Sequence, residues 1–249
     1  MQRSKTSGGV VELVKTVVIA LVIAFGIRTI AFEPFNIPSG SMEPTLLVGD
    51  YLFVSKFSYG YSTYSLPYGI HLFSGRIFGR EPKRGDVVVF KLPRDPQVDY
   101  IKRIIGLPGD HIQMIRGILN INGQPVQRER IEDFVNTENG ILSRTPQYIE
   151  TLPNGVRHPI LELSDDGPVD NTAVYVVPPD HYFAMGDNRD NSLDSRVPPD
   201  RGGVGYVPAE NLVGRAEILF FSTDGTAAWY EFWKWPSAMR FSRFFTVIH

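Results

Sequence analysis

Two side chains in this sequence have the chemistry of a nucleophile and a base. Ser41 lies in the turn-forming stretch PSGSMEPT at 38–45, nine residues after an apolar N-terminal segment that ends at Phe32. A serine hydroxyl needs a base before it can attack. The five histidines stand in unrelated contexts, and no Gly-x-Ser-x-Gly pattern occurs. A lysine can act as the base if burial keeps its amine neutral, and Lys102, in YIKRIIGLPGD at 100–110, is the candidate.

Each of these stretches also has an ordinary structural interpretation. A Pro-Ser-Gly-Ser sequence is typical of a proline-bounded turn with capping serines, and a lysine on a half-exposed strand usually extends its amine to solvent. If residues 100–104 form a strand, however, Tyr100 and Ile104 share a face with Lys102 and place it against an apolar wall.

A third stretch, GDNRDNSLDSR at 186–196, holds three Asp, two Arg, two Asn and two Ser. Alone it suits either a solvated loop or a calcium loop. The calcium-loop interpretation fails on ligand positions. Counted from Asp190, the sixth residue is Ser195 instead of glycine, and the twelfth is Arg201 instead of glutamate.

Together the three stretches resemble the sequence boxes of bacterial type I signal peptidases, membrane-bound serine proteases that remove signal peptides. The similarity covers about residues 32–56, 83–110 and 185–221. It implies an endopeptidase that cuts exported preproteins after a small-x-small tripeptide such as Ala-x-Ala, with no metal and no cofactor. The implied partners are preprotein signal peptides, the phospholipid membrane and the protein translocation channel.

The resemblance also assigns catalytic roles to single residues. Ser41 would be the nucleophile and Lys102 the general base. The backbone N–H of Ser41 and the hydroxyl of Ser39 would form the oxyanion hole. Ser192 would hydrogen-bond the lysine amine and orient it.

The remaining assignments concern support and specificity. The resemblance pairs Asp187 with Arg103 and Asp194 with Arg196, and we expect these charges to brace the fold, with Asp194 the one most expected to affect activity. Shallow apolar pockets would accept small substrate side chains, although ordinary core packing stays an alternative for every wall position. The matched wall positions are Phe35, Ile37, Pro38, Met42, Leu46, Tyr100 and Ile101.

The N-terminal segment from 10 to 32 suits a membrane-spanning helix. As a helix it would cover roughly 34 Å, enough for a hydrocarbon core of about 30 Å, and its apolar residues surround the helix centre instead of forming one stripe. Arg3 and Lys5 favour a cytoplasmic N-terminus. We therefore expect a single-pass protein of the bacterial inner (plasma) membrane with its catalytic domain on the outer, periplasmic side. A cleaved signal peptide and a soluble-domain helix stay as alternatives.

Beyond this segment the pattern changes to short β-rich runs between turns, and Asn122-Gly123 is a strong hairpin signal. We expect a mainly antiparallel β domain, either a partly closed barrel or a sandwich, and the resemblance implies the same. The expected strands are 51–56, 86–91, 100–106, 111–115, 118–121, 173–177, 182–185 and 213–221.

The chain divides into four expected parts. Residues 1–32 form the cytoplasmic N-terminus and anchor, 33–110 together with 177–225 the catalytic β domain, 111–176 an inserted cap, and 226–249 an aromatic and basic tail. The tail suits either the headgroup region of a bilayer or packing against the domain.

Three further stretches are expected to lie outside regular core strands. Residues 57–84 are rich in Tyr, Gly and Ser and predict an extended hairpin or an exposed loop. Within the cap, polar loops are expected at 133–139 and 165–170.

Bulk composition narrows the function classes. A net charge of −2 in 249 residues gives no reason to expect nucleic acid, and the absence of cysteine excludes disulfides and thiolate sites.

Two competing functions are open. One is a Ser/Lys self-cleaving regulator of the repressor type, and both the N-terminal segment and the lack of a helix-turn-helix pattern argue against it. The other is an anchored β module that only binds partners, which would leave Ser41 and Lys102 without a purpose.

Overall fold

A computed structural model describes residues 6–65, 75–138, 141–228 and 230–249. The one-turn 3-10 helix Gly40–Met42 carries Ser41. The helices are α1 Thr6–Ile30 and α2 Trp235–Ala238, and the strands are β1 Phe32–Asn36, β2 Asp50–Ser55, β3 Tyr61–Ser62, β4 Arg76–Ile77, β5 Val87–Leu92, β6 Asp95–Gly106, β7 His111–Ile115, β8 Ile118–Ile121, β9 Gln124–Pro125, β10 Gln127–Arg130, β11 Phe134–Glu138, β12 Ile141–Thr145, β13 Gln147–Thr151, β14 Arg157–Leu161, β15 Tyr175–Val176, β16 His181–Met185, β17 Val207–Pro208 and β18 Leu212–Ser222.

Helix α1 is not covered by the rest of the protein. Its stretch Gly9–Ile30 has 22 residues and a mean hydropathy of 2.5, and none of its apolar window is buried, so it is long and apolar enough to cross a membrane. The chain passes almost directly from α1 into β1, and the Tyr61 hydroxyl donates to the Ile30 carbonyl at 2.7 Å. Residues 1–5, which include Arg3 and Lys5, lie outside the described residues.

The largest sheet carries the predicted base. Its strand order is β1-β2-β18-β5-β6-β16-β17, and neighbouring strands are antiparallel. Lys102 on β6 lies opposite Val88 of β5, while Arg103 lies opposite both Val87 of β5 and Met185 of β16. Because β6 has partners on both edges, its residues 102–106 are buried.

Apolar side chains cover both faces of this sheet. Val87 and Val89 of β5 belong to one buried cluster, and Val88 and Phe90 belong to another. Successive side chains of a strand point to opposite faces, so each cluster covers one face. This explains why the sequence of β5 is almost continuously apolar instead of alternating.

Smaller sheets follow β6 along the chain. They have the orders β15-β7-β8-β9 and β10-β13-β14, and β11 pairs with β12. The predicted hairpin at Asn122-Gly123 is confirmed. Both residues have positive φ, 54° and 77°, as a type I′ turn requires. The four-part division of the chain stays a prediction.

The predicted fold class, mainly antiparallel β with an N-terminal helix, is confirmed. The sequence pattern missed β1, whose Pro34 cannot donate to a ladder, and the strands β10–β14. The loop predicted at 133–139 is wrong over its described part, because Phe134–Glu138 is strand β11, paired with β12. In the stretch 57–84, β3 pairs with β4, and residues 66–74 lie outside the described part.

The tail has residues that contact the domain and aromatic residues that are exposed, and its contact with a bilayer stays a prediction. Arg240 donates to the Val48 carbonyl at 3.0 Å, and Arg243 donates to the Asp50 carboxylate at 2.6 Å, so this part packs on the domain. Trp229 lies outside the described residues. Other aromatic side chains are solvent-exposed: Tyr230, Phe232, Trp233, Trp235, Phe241 and Phe245.

Candidate active site

Ser41 stands on a turn that a distant segment holds in place. The turn follows β1, and its Met42 side chain is fully buried in the core. The Asn188 backbone N–H donates to the Ser41 carbonyl at 3.1 Å, and Asn188 Nδ2 donates to the Gly40 carbonyl at 3.0 Å. These two hydrogen bonds from Asn188 hold the backbone at Gly40 and Ser41 in place.

Lys102 reaches Ser41 from β6. Its Nζ lies 2.7 Å from Ser41 Oγ and 3.0 Å from the Ile101 carbonyl oxygen. The same nitrogen lies 5.3 Å from the centroid of the Tyr100 ring. The two side chains that the sequence singled out, 61 residues apart, are thus in direct hydrogen-bond contact.

The surroundings of Lys102 favour its neutral form. Only 3% of the residue is exposed. Burial lowers the pKa of Lys102 from 10.5 to about 8, although the Asp194 and Asp187 carboxylates act in the opposite direction. A substantial fraction of the amine can therefore be unprotonated at mildly alkaline pH.

A cleft of about 510 Å³ opens over the two side chains. Its walls come from Pro38 and Ser39 of the turn, from residues 98–102 of β6, and from residues 190–193. Cavities of this size are typical of ligand sites. The cleft is therefore large enough to hold a ligand beside Ser41.

The structure contains both of the expected buried ion pairs. Arg103 donates from Nε and Nη2 to the two Asp187 oxygens at 2.8 and 2.7 Å, and Arg196 donates to Asp194 at 3.0 and 2.9 Å. Burial raises the pKa of the Asp187 carboxyl, but Arg103 outweighs it and holds that pKa well below its usual range. The first pair fastens the segment 186–196 to β6.

This charge network continues beyond the residues that the sequence singled out. Arg189 donates to both Glu150 oxygens at 2.9 and 2.5 Å. His158 lies between two carboxylates, 3.3 Å from Glu150 and 3.4 Å from Asp187. Burial raises the pKa of Glu150, yet Arg189 and His158 lower it to about 2. Glu150 of β13 and His158 of β14 thus hold the segment 186–196 in place.

Comparison with known proteins decides the family. The family model described as "Signal peptidase, peptidase S26" matches residues 10–221. Signal peptidase I of Rickettsia typhi is 41% identical over 265 aligned residues, covering 99% of this chain and 97% of the relative. Signal peptidase I of Rickettsia prowazekii is 43% identical and covers 91% and 89%. The chain belongs to this peptidase family. The predicted resemblance is confirmed, and membership makes the chain a serine endopeptidase.

One solved structure with some similarity is the crystal structure of a signal peptidase I from Enterococcus faecalis V583. It is 23% identical in sequence, with a TM-score of 0.31, and the match covers 55% of this chain and 97% of that one.

Ser192 does not make the hydrogen bond expected of it. Its hydroxyl is buried and finds no hydrogen-bond partner among the described residues, while Lys102 donates to Ser41 and to the Ile101 carbonyl instead. Ser192 nevertheless lines the cleft. The expected contact is therefore wrong for this conformation, since the lysine amine is directed toward the nucleophile.

The expected pocket walls divide into two groups. Pro38, Tyr100 and Ile101 line the cleft. The others belong to the core below it: the first of the buried clusters contains Ile37, Met42 and Leu46, with Phe35 packed against it. These four side chains pack in or against the core and do not line the cleft, and their assignment as pocket walls stays a prediction.

Gly186 and Asn188 hold the turn that carries Ser41. The sequence alone assigned no role to either residue. A Cβ at position 186 would overlap the Ser41 carbonyl oxygen and the Ser192 side chain. Only glycine lets position 186 approach the Ser41 turn so closely. A signal was available, since a glycine directly follows the apolar strand 182–185 and opens the polar stretch.

We predict that Gly186→Ala lowers kcat/KM of the peptidase reaction about a hundredfold, because a shift of about 1 Å in the nucleophile can cost that much. The measurement is steady-state cleavage of a preprotein, with circular dichroism to verify folding. Gly79→Ala is the matched control, since its Cβ would make only ordinary contacts with Arg76, at 3.6 to 3.9 Å. A kcat/KM equal to that of the parent in Gly186→Ala would contradict the prediction, because it would show that the added Cβ does not displace Ser41.

We predict that Asp194→Ala lowers the free energy of unfolding by about 3–5 kcal/mol, because it leaves the Arg196 charge buried without its partner. Urea denaturation of the detergent-solubilised protein measures this. Glu129→Ala removes an exposed carboxylate 3.5 Å from Arg157 and should cost less than about 1 kcal/mol. Equal losses in the two variants would contradict the structural importance of the buried pair.

Proposed function

We propose that this chain removes N-terminal signal peptides from exported preproteins by cutting after a small-x-small tripeptide such as Ala-x-Ala. Ser41 is the proposed nucleophile and Lys102 the proposed general base. The observation that carries this proposal is the distance of 2.7 Å between Ser41 Oγ and a lysine nitrogen with almost no exposure to water. A buried amine in contact with a hydroxyl is the arrangement that activates a serine without histidine.

The proposed reaction begins with the neutral amine of Lys102. As Ser41 Oγ attacks the scissile carbonyl carbon, its proton passes to Nζ, and the resulting ammonium then donates a proton to the leaving amine. The acyl-enzyme forms on Ser41 as the peptide bond breaks. Water then attacks the ester and gives up one proton to Nζ. That proton returns to Oγ when the ester bond breaks, and the released carboxylic acid loses its remaining proton to solvent.

Charge also develops on the carbonyl oxygen in both steps. We assign its stabilisation to the backbone N–H of Ser41 and the hydroxyl of Ser39, both at the edge of the cleft. Loss of one such donor typically costs about 3–4 kcal/mol of transition-state stabilisation. The supports behind this arrangement are the pairs Arg103–Asp187 and Asp194–Arg196.

The proposed specificity follows from the apolar part of the cleft wall. Pro38, Tyr100 and Ile101 line the cleft close to the Ser41 hydroxyl. A shallow apolar surface binds small side chains and excludes charged ones, since a charge would lose its water there without gaining a partner. This supports substrates with small residues before the cleaved bond.

We propose that α1 anchors the enzyme in the bacterial inner (plasma) membrane, single-pass, with a cytoplasmic N-terminus and the catalytic domain on the periplasmic side. The uncovered apolar surface of α1 supports the anchor. Exposed Tyr230, Phe232 and Trp233 suit the headgroup region. The proposed partners are therefore preprotein signal peptides, the phospholipid membrane and the translocation channel that delivers the substrate.

We predict that Ser41→Ala and Lys102→Ala each lower cleavage of an Ala-x-Ala preprotein at least about a thousandfold, because each removes one half of the reacting pair. The assay uses purified full-length protein in detergent and follows the mature product on gels. Ser143→Ala and Lys83→Ala, at exposed positions, are the matched controls and should cleave normally. Full activity of Lys102→Ala would exclude Lys102 as the base.

We predict that kcat/KM rises with pH and levels off above about pH 8. The reactive form is the unprotonated amine, and the pKa of Lys102 is lowered to about 8, so activity is lost as the pH falls through that value. Below it, kcat/KM should fall about tenfold per pH unit. The measurement is a pH–rate profile on a peptide substrate without titratable side chains. A profile that stays flat from about pH 6 to 9 would exclude a lysine base.

A further inference from the structure

Three carboxylates behind the cleft have no role in the proposed reaction. Glu162 and Asp170 come from the loop that follows β14, and Asp190 comes from the segment that lines the cleft. One oxygen from each of them lies within 4.8 Å of the oxygens of the other two. Like charges this close repel strongly unless a positive charge lies between them or a proton neutralises one of them.

Two of these carboxylates are buried and have oxygens without a donor. Glu162 is 2% exposed and Asp170 is 0% exposed. Within the described part of the chain, neither Glu162 oxygen accepts a hydrogen bond, and nor does Asp170 Oδ1. Buried polar atoms in native proteins almost always have partners. These three oxygens therefore point to a ligand.

The nearby guanidinium groups are already bound to other acids. Arg189 is bound to Glu150, and Arg196 is bound to Asp194. Among the described residues, no Lys, Arg or His forms an ion pair with Glu162 or Asp170. Among the described residues the cluster therefore has no cation in direct contact, although the charges of Arg189 and Arg196 act on Glu162 from a distance.

Glycines leave space around the carboxylate oxygens. A Cβ at Gly167 would lie 2.8 Å from Asp170 Oδ2 and 3.0 Å from Asp190 Oδ1. A Cβ at Gly117, which has a φ of +68°, would lie 2.7 Å from Glu162 Oε1. Both positions keep side-chain atoms away from the oxygens, as a small bound ion requires.

We propose that Glu162, Asp170 and Asp190 bind one hard divalent cation, Ca²⁺ or Mg²⁺. Carboxylate oxygens are the ligands that these ions prefer, and Ca²⁺ at about 2.4 Å from each ligand accommodates oxygens up to roughly 4.8 Å apart. The ion would supply the missing positive charge. It takes no part in bond cleavage and is independent of the proposed reaction.

The ion would connect two segments of the fold. Asp190 is followed directly by Asn191 and Ser192, which line the cleft, whereas Glu162 and Asp170 belong to the loop that follows β14, outside the cleft lining. The Asp190 carboxylate already accepts from the Leu163 N–H at 2.6 Å. The twelve-residue calcium-loop pattern could not find this site, because its ligands come from two separate segments.

Direct ion binding to the chelator-treated, full-length protein in detergent tests the proposal. Isothermal titration with Ca²⁺ or Mg²⁺ should show one ion per chain for at least one of the two metals. The same metal should raise the melting temperature by about 5 °C at saturation, because an ion that binds only the folded state stabilises it. The absence of both binding and a melting shift for both metals would overturn the proposal and indicate carboxylates that share a proton.

Variants locate the bound ion. Glu162→Gln and Asp170→Asn should each abolish the one-ion binding and the melting shift, while their melting temperature in chelator stays at or above that of the parent, because a repulsion is removed. Asp190→Asn serves as the third test if either variant fails to fold. Asp200→Asn, at an exposed position, is the matched control and should keep the full response. Parental binding in all three cluster variants would place the ion elsewhere and overturn the proposal.

Discussion

A lysine amine kept out of water is the constraint on which this site depends. An ordinary lysine is almost fully protonated at neutral pH and cannot accept a proton. Lowering its pKa from 10.5 to about 8 disfavours the ammonium form by roughly 3 kcal/mol relative to water. The fold does this by placing Lys102 on a central strand, between β5 and β16, next to an apolar cluster. The antiparallel sheet is therefore part of the proposed chemistry, because an exposed strand could not produce this shift.

Buried charge imposes a second constraint, which the fold meets with dedicated partners. Removing one member of a buried pair costs much more than the intact pair gains over apolar packing. Such pairs therefore fix geometry more than they add stability, and here they hold the segment 186–196 against β6 and β13. The carboxylates of Asp187 and Asp194 also keep the pKa of Lys102 from falling further. The buried pairs are Arg103–Asp187, Arg189–Glu150 and Arg196–Asp194.

The sequence predicted the candidate pair Ser41 and Lys102 better than its surroundings. The pair could be found because a turn-exposed serine, a strand lysine and the Gly-Leu-Pro-Gly-Asp turn are local patterns, and the hairpin of β8 and β9 is signalled locally by Asn122-Gly123. The inward direction of Met42 and Leu46 depends on how β1 enters the sheet, which no local pattern records. The close approach at Gly186 and the bond between Arg189 and Glu150 likewise exist only after distant segments have folded together.

The connection between α1 and the nucleophile restricts where the active site can lie. Ser41 lies eleven residues after Ile30, and an extended chain of that length reaches at most about 40 Å. The pairing of β1 with β2 fixes the path of the chain over part of this stretch. With α1 in a bilayer, the Ser41 hydroxyl would therefore stay near the membrane surface. A substrate whose own apolar segment lies in the same bilayer would meet the cleft at a high effective concentration. In such an arrangement a cleft with few specific contacts would be sufficient, because the shared membrane would contribute much of the binding.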